Sequence, residues 1–489
     1  MDCTLYIHNS YCKFDNNTPS DILKMVKDLL TYHTDITAEK AQKWRLIRLA
    51  KAKKNSIWEE RLRKEIKALE DKEWVCWFHD NQFPTGHLIL VKALLEEIKV
   101  NCHYIEKRVI PEKYLTLRWK NEPFKPRYYQ EEMIDLGLKN HRGVFELAVG
   151  TGKTLGLIYL IKNLGVNSLI ITPSSGLKEQ LYQELIIHFG INNIQKIDTS
   201  LIRKNGKLKP IRITTIQTLA SLQKTGDIQY LVEDIDAVYV DEIHHSGSET
   251  YLNLLKDIEH IYYRFGFTGT FIRNDSKTLD MWGFLSVKLQ EYKAKKAIID
   301  GFLTPIKAII YDIPGKPSKY YPTEYKRNYC ENPILLKKIM RILKSISPDD
   351  QVLMLVNRKD KSGLVVHKFL TEAGFKNSYI SGDDDAKKIN STISDFNSKK
   401  VKILIGSSVI GEGIDVRSAD HLIMLQGGKS PVVIVQAVGR LARLFAGKLF
   451  GTIHDFKFKG TKYMVKHLNQ RIQIYKDNFD PEIIWNKEE

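Results

Sequence analysis

The chain has 489 residues, of which 43% are hydrophobic and 27% charged, and it carries a formal charge of +17 at pH 7. That length holds roughly three domains of ~150 residues, so this composition excludes a disordered, fibrous or disulfide-stapled miniature protein. The cationic excess favours a polyanionic partner, with nucleic acid as the first candidate and a basic protein kept soluble by scattered lysines as the alternative.

Five cysteines (Cys3, Cys12, Cys76, Cys102 and Cys330) include no C-x-x-C pair, which argues against a zinc ribbon or a disulfide framework and for a reducing compartment. The sequence has no apolar run of 18 residues, and its Met-Asp-Cys-Thr start does not open a charged-then-apolar leader. The expectation is a cytoplasmic monomer with no membrane span, in the host cytoplasm if phage-encoded.

Residues 1–118 read as a small α+β accessory domain. Between Lys40 and Lys67 eleven Lys and Arg stand against three Glu, interleaved with Trp44, Leu46, Ile47, Leu49, Ile57, Trp58, Leu62 and Ile66 as on a partly buried helix. Two readings stay open: a platform for DNA phosphates whose grip weakens with salt, or a solvated helix face. Beyond it, residues 73–79 suit a strand, 83–87 a turn and 88–100 a helix.

Residues 119–300 read as an α/β domain. Gln130, at the start of a helix and about twenty residues before a glycine loop, has a two-sided amide suited to an adenine edge. The loop is Leu147-Ala-Val-Gly-Thr-Gly-Lys-Thr154, between one apolar run and another, which predicts strand, phosphate loop and helix. Gly150 and Gly152 allow the backbone N–H groups around Thr151 to converge on a polyphosphate at a helix N-terminus. Lys153 can reach its β/γ-phosphates, and the Thr154 hydroxyl can sit on Mg²⁺.

Two more apolar strands end in polar residues, at Pro173 and Ser174 and at Thr215 and Gln217. Ligands gather at the carboxyl ends of parallel strands, so these groups are candidate nucleic-acid contacts. A third strand delivers Asp241 and Glu242, eighty-eight residues or more after Lys153. Triphosphate hydrolysis needs one carboxylate to hold Mg²⁺ and a second to orient and deprotonate water, and Asp241 and Glu242 fit those roles. His244 can couple this site to neighbouring loops, and Thr268-Gly-Thr270 with Arg273 close by ends a further strand.

From Ala297 to Asn332, Pro305, Pro314, Pro317 and Pro322 mark a connection. Residues 301–455 then read as a second doubly wound α/β domain, with strands near 351–356, 378–381, 401–405, 421–425 and 451–454 and no phosphate loop of its own. Ser407, Ser408, Gly413 and Asp415 follow a strand, where backbone can approach a phosphodiester or a ribose. Arg440 and Arg443 are three apart on one helical face, and an arginine presented across a domain boundary can neutralise charge on a γ-phosphoryl group. The last segment, 456–489, reads as a C-terminal helical extension carrying Tyr463, His467, Arg471 and Tyr475, either packing on the second domain or touching nucleic acid.

Seven motifs in register, Gly-x-Gly-Lys-Thr154, Pro173-Ser-Ser, Thr-Thr-Ile-Gln217, Asp-Glu-Ile-His244, Thr-Gly-Thr270, Gly411-Glu-Gly-Ile-Asp415 and Gln436-x-x-Gly-Arg-x-x-Arg443, resemble superfamily 2 helicases of the DExH type over about 330 residues. The 297–305 segment and the His454-Asp-Phe tail look like the branch holding restriction-enzyme motor subunits and the T4-like phage helicases that remodel branched DNA. The resemblance implies two RecA-like doubly wound parallel sheets with ATP and Mg²⁺ between them. It implies a nucleotide set of Arg127, Gln130, Gly150, Thr151, Gly152, Lys153, Thr154, Gly413 and Asp415, catalysis by Lys153, Asp241, Glu242, Arg440 and Arg443, and Mg²⁺ at Thr154 and Asp241. Its activity would be a DNA helicase or translocase of recombination, repair or replication acting on forked, branched or duplex DNA. An RNA helicase or the motor of a restriction or defence complex would share these motifs. Leu147 and Gly269 depart from the family pattern, which has a small residue and an alanine there.

Overall fold

The computed structural model describes residues 2–33, 37–52, 56–70, 73–199, 208–243, 258, 260–269, 277–357, 362–407, 416 and 418–486. Two seven-stranded sheets, each wholly parallel, form the bulk of the molecule. The first runs Lys288–Tyr292, Arg142–Leu147, Tyr263–Thr268, Ala237–Val240, Ser168–Thr172, Ile211–Thr215 and Ile194–Lys196 from edge to edge. Its central strands are buried along their whole length, which is why they read as unbroken apolar runs. One face stacks Phe145, Tyr239, Phe265 and Phe267 under the helices Tyr128–Asn140 and Lys153–Leu164. The other packs Leu169, Ile171, Val238 and Val240 against Leu219, Leu231 and Met281.

The second sheet runs Asn377–Ile380, Ile403–Gly406, Gln351–Leu355, Ala419–Met424, Gly451–Lys459, Ile306–Pro314 and Glu482–Asn486. The doubly wound architecture expected from sequence is therefore present twice. The connection expected over 297–332 needs correction, because Ile306–Pro314 is a nine-residue strand pairing with Gly451–Lys459 along its whole length. Pro305 and Pro314 bracket this strand rather than break it, since a ladder tolerates a missing donor at its ends. Residues 456–489, expected as a helical extension, contain the end of one strand, the helix Tyr463–Phe479 and an edge strand.

A third, four-stranded sheet of Gln82–Pro84, Tyr11–Phe14, Asp2–Ile7 and Asn101–Glu106 lies at the N-terminus with the helices Ser20–Leu29 and Leu88–Glu97. The basic run is two helices, Thr37–Ala52 and Ser56–Glu70, rather than one. They close on Ile47, Ala50, Leu62 and Ile66 and are zipped by pairs such as Lys43–Glu65 at 2.5 Å and Lys51–Glu59 at 3.7 Å. Part of the cationic surplus is thus engaged within the hairpin.

This N-terminal unit docks on the first large sheet through the helix Lys277–Leu285: Trp77 Nε1 donates to Asp280 Oδ1 at 2.8 Å, Tyr32 hydroxyl to the same carboxylate, and His87 packs against Gly283. The chain then straps across the first unit, with Leu115 N–H on Gly165 O at 2.8 Å and Trp119 stacked on Phe189. Among the described residues no helix is long and apolar enough to cross a membrane.

Candidate functional site

At the end of Arg142–Leu147 the chain turns through residues 148–152 into the helix Lys153–Leu164. Gly150 and Gly152 hold φ of +87° and +79°, the left-handed region that glycine enters without steric penalty. Thr151 Oγ1 donates back to Ala148 O at 2.6 Å, while Tyr129 hydroxyl at 2.7 Å and Gln130 Nε2 at 2.9 Å donate to Thr151 O. Gln130 Nε2 also reaches Gly152 O at 3.1 Å. With its carbonyls tied back, the loop is free to turn its N–H groups toward an anion at the helix N-terminus, so these residues fit a polyphosphate.

Gln130 Oε1 accepts from Arg127 N–H at 2.9 Å and the residue is 2% exposed, so the amide braces the phosphate loop. Arg127 lies 4.4 Å over the Phe302 ring and donates to the Tyr129 hydroxyl, and Tyr129 stacks on Tyr292 with centroids 3.9 Å apart. Asp300 accepts from Tyr292, Tyr128 and Lys296, and Lys296 with the two phenols holds its carboxyl down at about 2. Of this cluster, Asp300 and Phe302 lie in the 297–305 segment singled out by the resemblance, whereas Tyr292 lies outside every motif read from the sequence.

The acidic strand end meets the loop from two strands away, across Tyr263–Thr268. Asp241 N–H is held by Ile171 O at 2.9 Å, and Glu242 turns at φ +48° with its N–H on Asp241 Oδ1 at 3.0 Å. A non-glycine residue in the left-handed region is uncommon and concentrates at functional sites. The turn brings Glu242 Oε1 to 3.6 Å from Lys153 Nζ and its other oxygen to 3.4 Å from Gly269 N–H, with both side chains 15% exposed. A cation, a carboxylate and an anion cradle therefore converge at one strand edge, the arrangement that binds a polyphosphate and activates water beside it.

The second unit supplies the opposite wall. The helix Pro431–Leu441 ends on the phosphate loop, where a Cβ on Gly150 would lie 3.2 Å from Arg443 Cγ and 3.6 Å from Gly439 O. Arg440, on the last turn of that helix, is 5% exposed, and Arg443 Nη1 donates to Val416 O at 3.1 Å. The 297–305 segment belongs to this junction: Leu303 packs beside Gly150, Thr304 N–H donates to Ala442 O at 2.7 Å and Thr304 Oγ1 to Arg443 O at 3.2 Å. Behind the helix, the buried Arg471–Asp455 pair, 2.7 Å and 2.8 Å, also donates to Gly428 O at 3.0 Å and so fixes the loop that launches it. Tyr463, His467, Arg471 and Tyr475 thus pack on the second sheet, as His467 on Gly427 O and Tyr475 on Asp455 confirm.

The expected nucleic-acid contacts divide. Ser174 caps the helix Ser175–Phe189, and the exposed Gln217 ties its Nε2 to Pro173 O at 3.1 Å. Thr215 is 4% exposed because its hydroxyl caps the helix Ile216–Thr225, accepting from Thr218 N–H at 3.2 Å. Ser407 is 1% exposed, so its hydroxyl is not a surface contact either. What the capping hydroxyls leave at the sheet edge is a pair of helix N-termini, each with free N–H groups and a positive dipole end suited to a phosphodiester. His244, Thr270, Arg273, Ser408, Gly411, Gly413 and Asp415 lie outside the described residues.

Two family models match the two large α/β units in order: the type III restriction enzyme res subunit over residues 123–273 and the helicase conserved C-terminal domain over 334–445. The chain belongs to the superfamily 2 helicases. As a helicase it binds and hydrolyses ATP. This helicase is similar to the ATP-dependent DNA helicase uvsW of Enterobacteria phage T4, 23% identical over 393 residues that cover 73% of this chain and 76% of that protein. It is also similar to the DEAD-box ATP-dependent RNA helicase RhpA of Helicobacter pylori, 24% identical over 372 residues, 72% of this chain and 69% of that one. The helicase fold matches a fragment of a type I restriction enzyme HsdR subunit from Vibrio vulnificus YJ016 at a TM-score of 0.57 and 18% identity, covering 85% of this chain and 76% of that one.

Proposed function

We propose that this helicase is a DExH-type motor acting on DNA, opening or remodelling duplex, forked or branched substrates in recombination, repair or replication. The observation that carries the reading is the two-walled cleft, with Lys153 and Glu242 3.6 Å apart on one side and the Arg443 stem against Gly150 on the other. Lys153 and the loop amides take the β/γ-phosphates of ATP, while Thr154 and Asp241 hold Mg²⁺, which when bound withdraws charge from the phosphate oxygens. A phosphate that draws Lys153 away frees the Glu242 carboxylate to orient water and accept its proton. Arg440 and Arg443 offset the charge of the γ-phosphoryl group from the second unit, so the site is complete only when the units are together. The domain limits proposed are 1–118, 119–300 and 301–489, because 456–489, expected from sequence as a separate extension, carries the end of the strand Gly451–Lys459 and the edge strand Glu482–Asn486 of the second sheet.

The +17 charge favours a nucleic acid of either kind, and DNA is favoured by the uvsW helicase, which is named for DNA. RNA is the second reading, favoured by the similarity to RhpA. ATPase rates and strand displacement measured on single-stranded, duplex, forked and four-way DNA and on RNA of the same sequences decide between them. Greater stimulation by forked or branched DNA supports the proposal, and stimulation by RNA alone overturns it.

A further inference from the structure

Val149 stands in the phosphate loop between two glycines that belong to different units. A Cβ built on Gly269, just after the strand Tyr263–Thr268, would lie 2.7 Å from Val149 Cγ2 and 3.0 Å from Lys153 Nζ. A Cβ built on Gly439, in the helix that carries Arg440, would lie 2.6 Å from Val149 Cβ and 3.1 Å from its Cγ1. Distances under 3.0 Å are not tolerated between carbon atoms, so each glycine is a place where Val149 fits only because a methyl group is missing. The two positions flank the site on both sides: Gly269 donates its N–H to Glu242, and Gly439 precedes Arg440.

From this we infer that Val149 is a positioning residue, a wedge whose branched side chain registers the approach of the arginine-bearing helix and passes it to the Gly269 segment beside Lys153 and Glu242. The inference rests on the ATP-hydrolysing reading of that cleft. It also assigns a reason to Gly269: the alanine methyl of the related motif would occupy the space Val149 fills, so Val149 and Gly269 are a size-matched pair. When the two units part, the Gly439 wall leaves Val149 and the contact is lost; when they meet, Val149 fixes the loop against both.

The atoms involved give the test an asymmetry. Gly269 collides with a γ-carbon, which Val149→Ala removes; Gly439 collides with the β-carbon, which Val149→Ala keeps. G269A, G439A, V149A and the doubles V149A/G269A and V149A/G439A are measured for thermal stability, ATP dissociation constant and nucleic-acid-stimulated kcat. Overpacking at these sites is expected to lower kcat by about a hundredfold in G269A and in G439A. V149A should restore G269A to within about threefold of V149A alone and leave G439A unrestored. By itself V149A, which removes two methyl groups from the closed contact, should lower stimulated kcat by about tenfold while ATP affinity without nucleic acid stays within about twofold. A G269A enzyme that turns over at the wild-type rate, or one no better with V149A than without it, overturns the pairing; so does a V149A enzyme stimulated as fully as wild type. Wild-type protein that lacks nucleic-acid-stimulated ATPase would instead refute the functional reading. The melting temperatures still judge the pairing in that case: G269A lowered and V149A/G269A recovered supports it, and equal values for the two refute it.

Discussion

Replacing Arg471 by methionine tests how the second unit holds its arginine helix in place. Arg471 is 1% exposed and Asp455 fully buried, and the guanidinium makes two bonds to that carboxylate at 2.7 Å and 2.8 Å, one to Gly428 O at 3.0 Å and one to the Tyr329 hydroxyl at 3.3 Å. Asp455 and the neighbouring phenols hold the arginine's proton well beyond its usual range against the opposing effect of burial. Methionine fills a similar volume but leaves the carboxylate with the Tyr475 hydroxyl at 2.9 Å and the Phe456 N–H at 2.8 Å. Breaking a buried pair from one side costs ~3–5 kcal/mol, because a charge stays buried without its counter-charge. For a unit of this size 1 kcal/mol shifts a melting temperature by ~2–4 °C, so Arg471→Met should lower the transition of the second unit by about 10 °C. Adding Asp455→Asn removes the stranded charge and should recover a large part of that loss, which a double-mutant cycle reads as coupling. Differential scanning calorimetry is the assay. An Arg471→Met transition within ~2 °C of wild type, or a double variant no more stable than the single, would refute the reasoning.

Gln130→Ala removes the two donations to Thr151 O and Gly152 O, which keep their bonds from the Tyr129 hydroxyl and Leu155 N–H, so only the net worth of the lost bonds, ~0.5–1.5 kcal/mol each, is forfeited and ATP binding by calorimetry should weaken by about tenfold; unchanged affinity would show that the loop does not need the brace. His87 is fully buried where the N-terminal unit meets Lys277–Leu285, and burial pushes its pKa down to about 3. Its folded value is below the ordinary value of ~6.5, so its contribution to stability is complete above that pH and is lost as pH falls from there toward 3. At pH 5 the loss is about 2 kcal/mol, and His87→Leu should flatten that part of the stability profile in urea unfolding at pH 7 and pH 5. A variant that loses as much stability as wild type between those values would show that His87 is not the group responsible.

The central strands of both large sheets were legible because a parallel strand buried on two faces needs an uninterrupted apolar run, as in Ser168–Thr172 and Gln351–Leu355, whereas the partly exposed edge strands Ile194–Lys196, Lys288–Tyr292 and Glu482–Asn486 have no such run and were not read. The phosphate loop and the Asp241-Glu242 pair were legible for a similar reason: their chemistry is local, set by a few adjacent residues at a strand end. Ile306–Pro314 was hidden by its flanking prolines, which mark breaks in a sequence but only ends in a ladder. The bracing of the loop by Gln130 was not legible, because it depends on how the helix Tyr128–Asn140 packs on the loop. Thr215 and Ser407 were placed at the correct sheet edges, yet capping and burial turn their hydroxyls inward. Arg471 and Asp455 lie sixteen residues apart and meet only because a helix folds back over its own preceding strand, and the clasp on Val149 joins residues from three distant motifs. Such contacts carry no local signature.

The central claim is that a carboxylate beside Lys153 activates water in a cleft closed by the second unit. The direct measurement is ATP turnover with saturating forked DNA by wild type and Glu242→Gln, alongside ATP binding by each. The account expects stimulated turnover in wild type and at least a hundredfold loss in Glu242→Gln with ATP binding retained, on the scale of about 10²–10⁴ for general-base catalysis. Glu242→Gln hydrolysing ATP at the wild-type rate would contradict it.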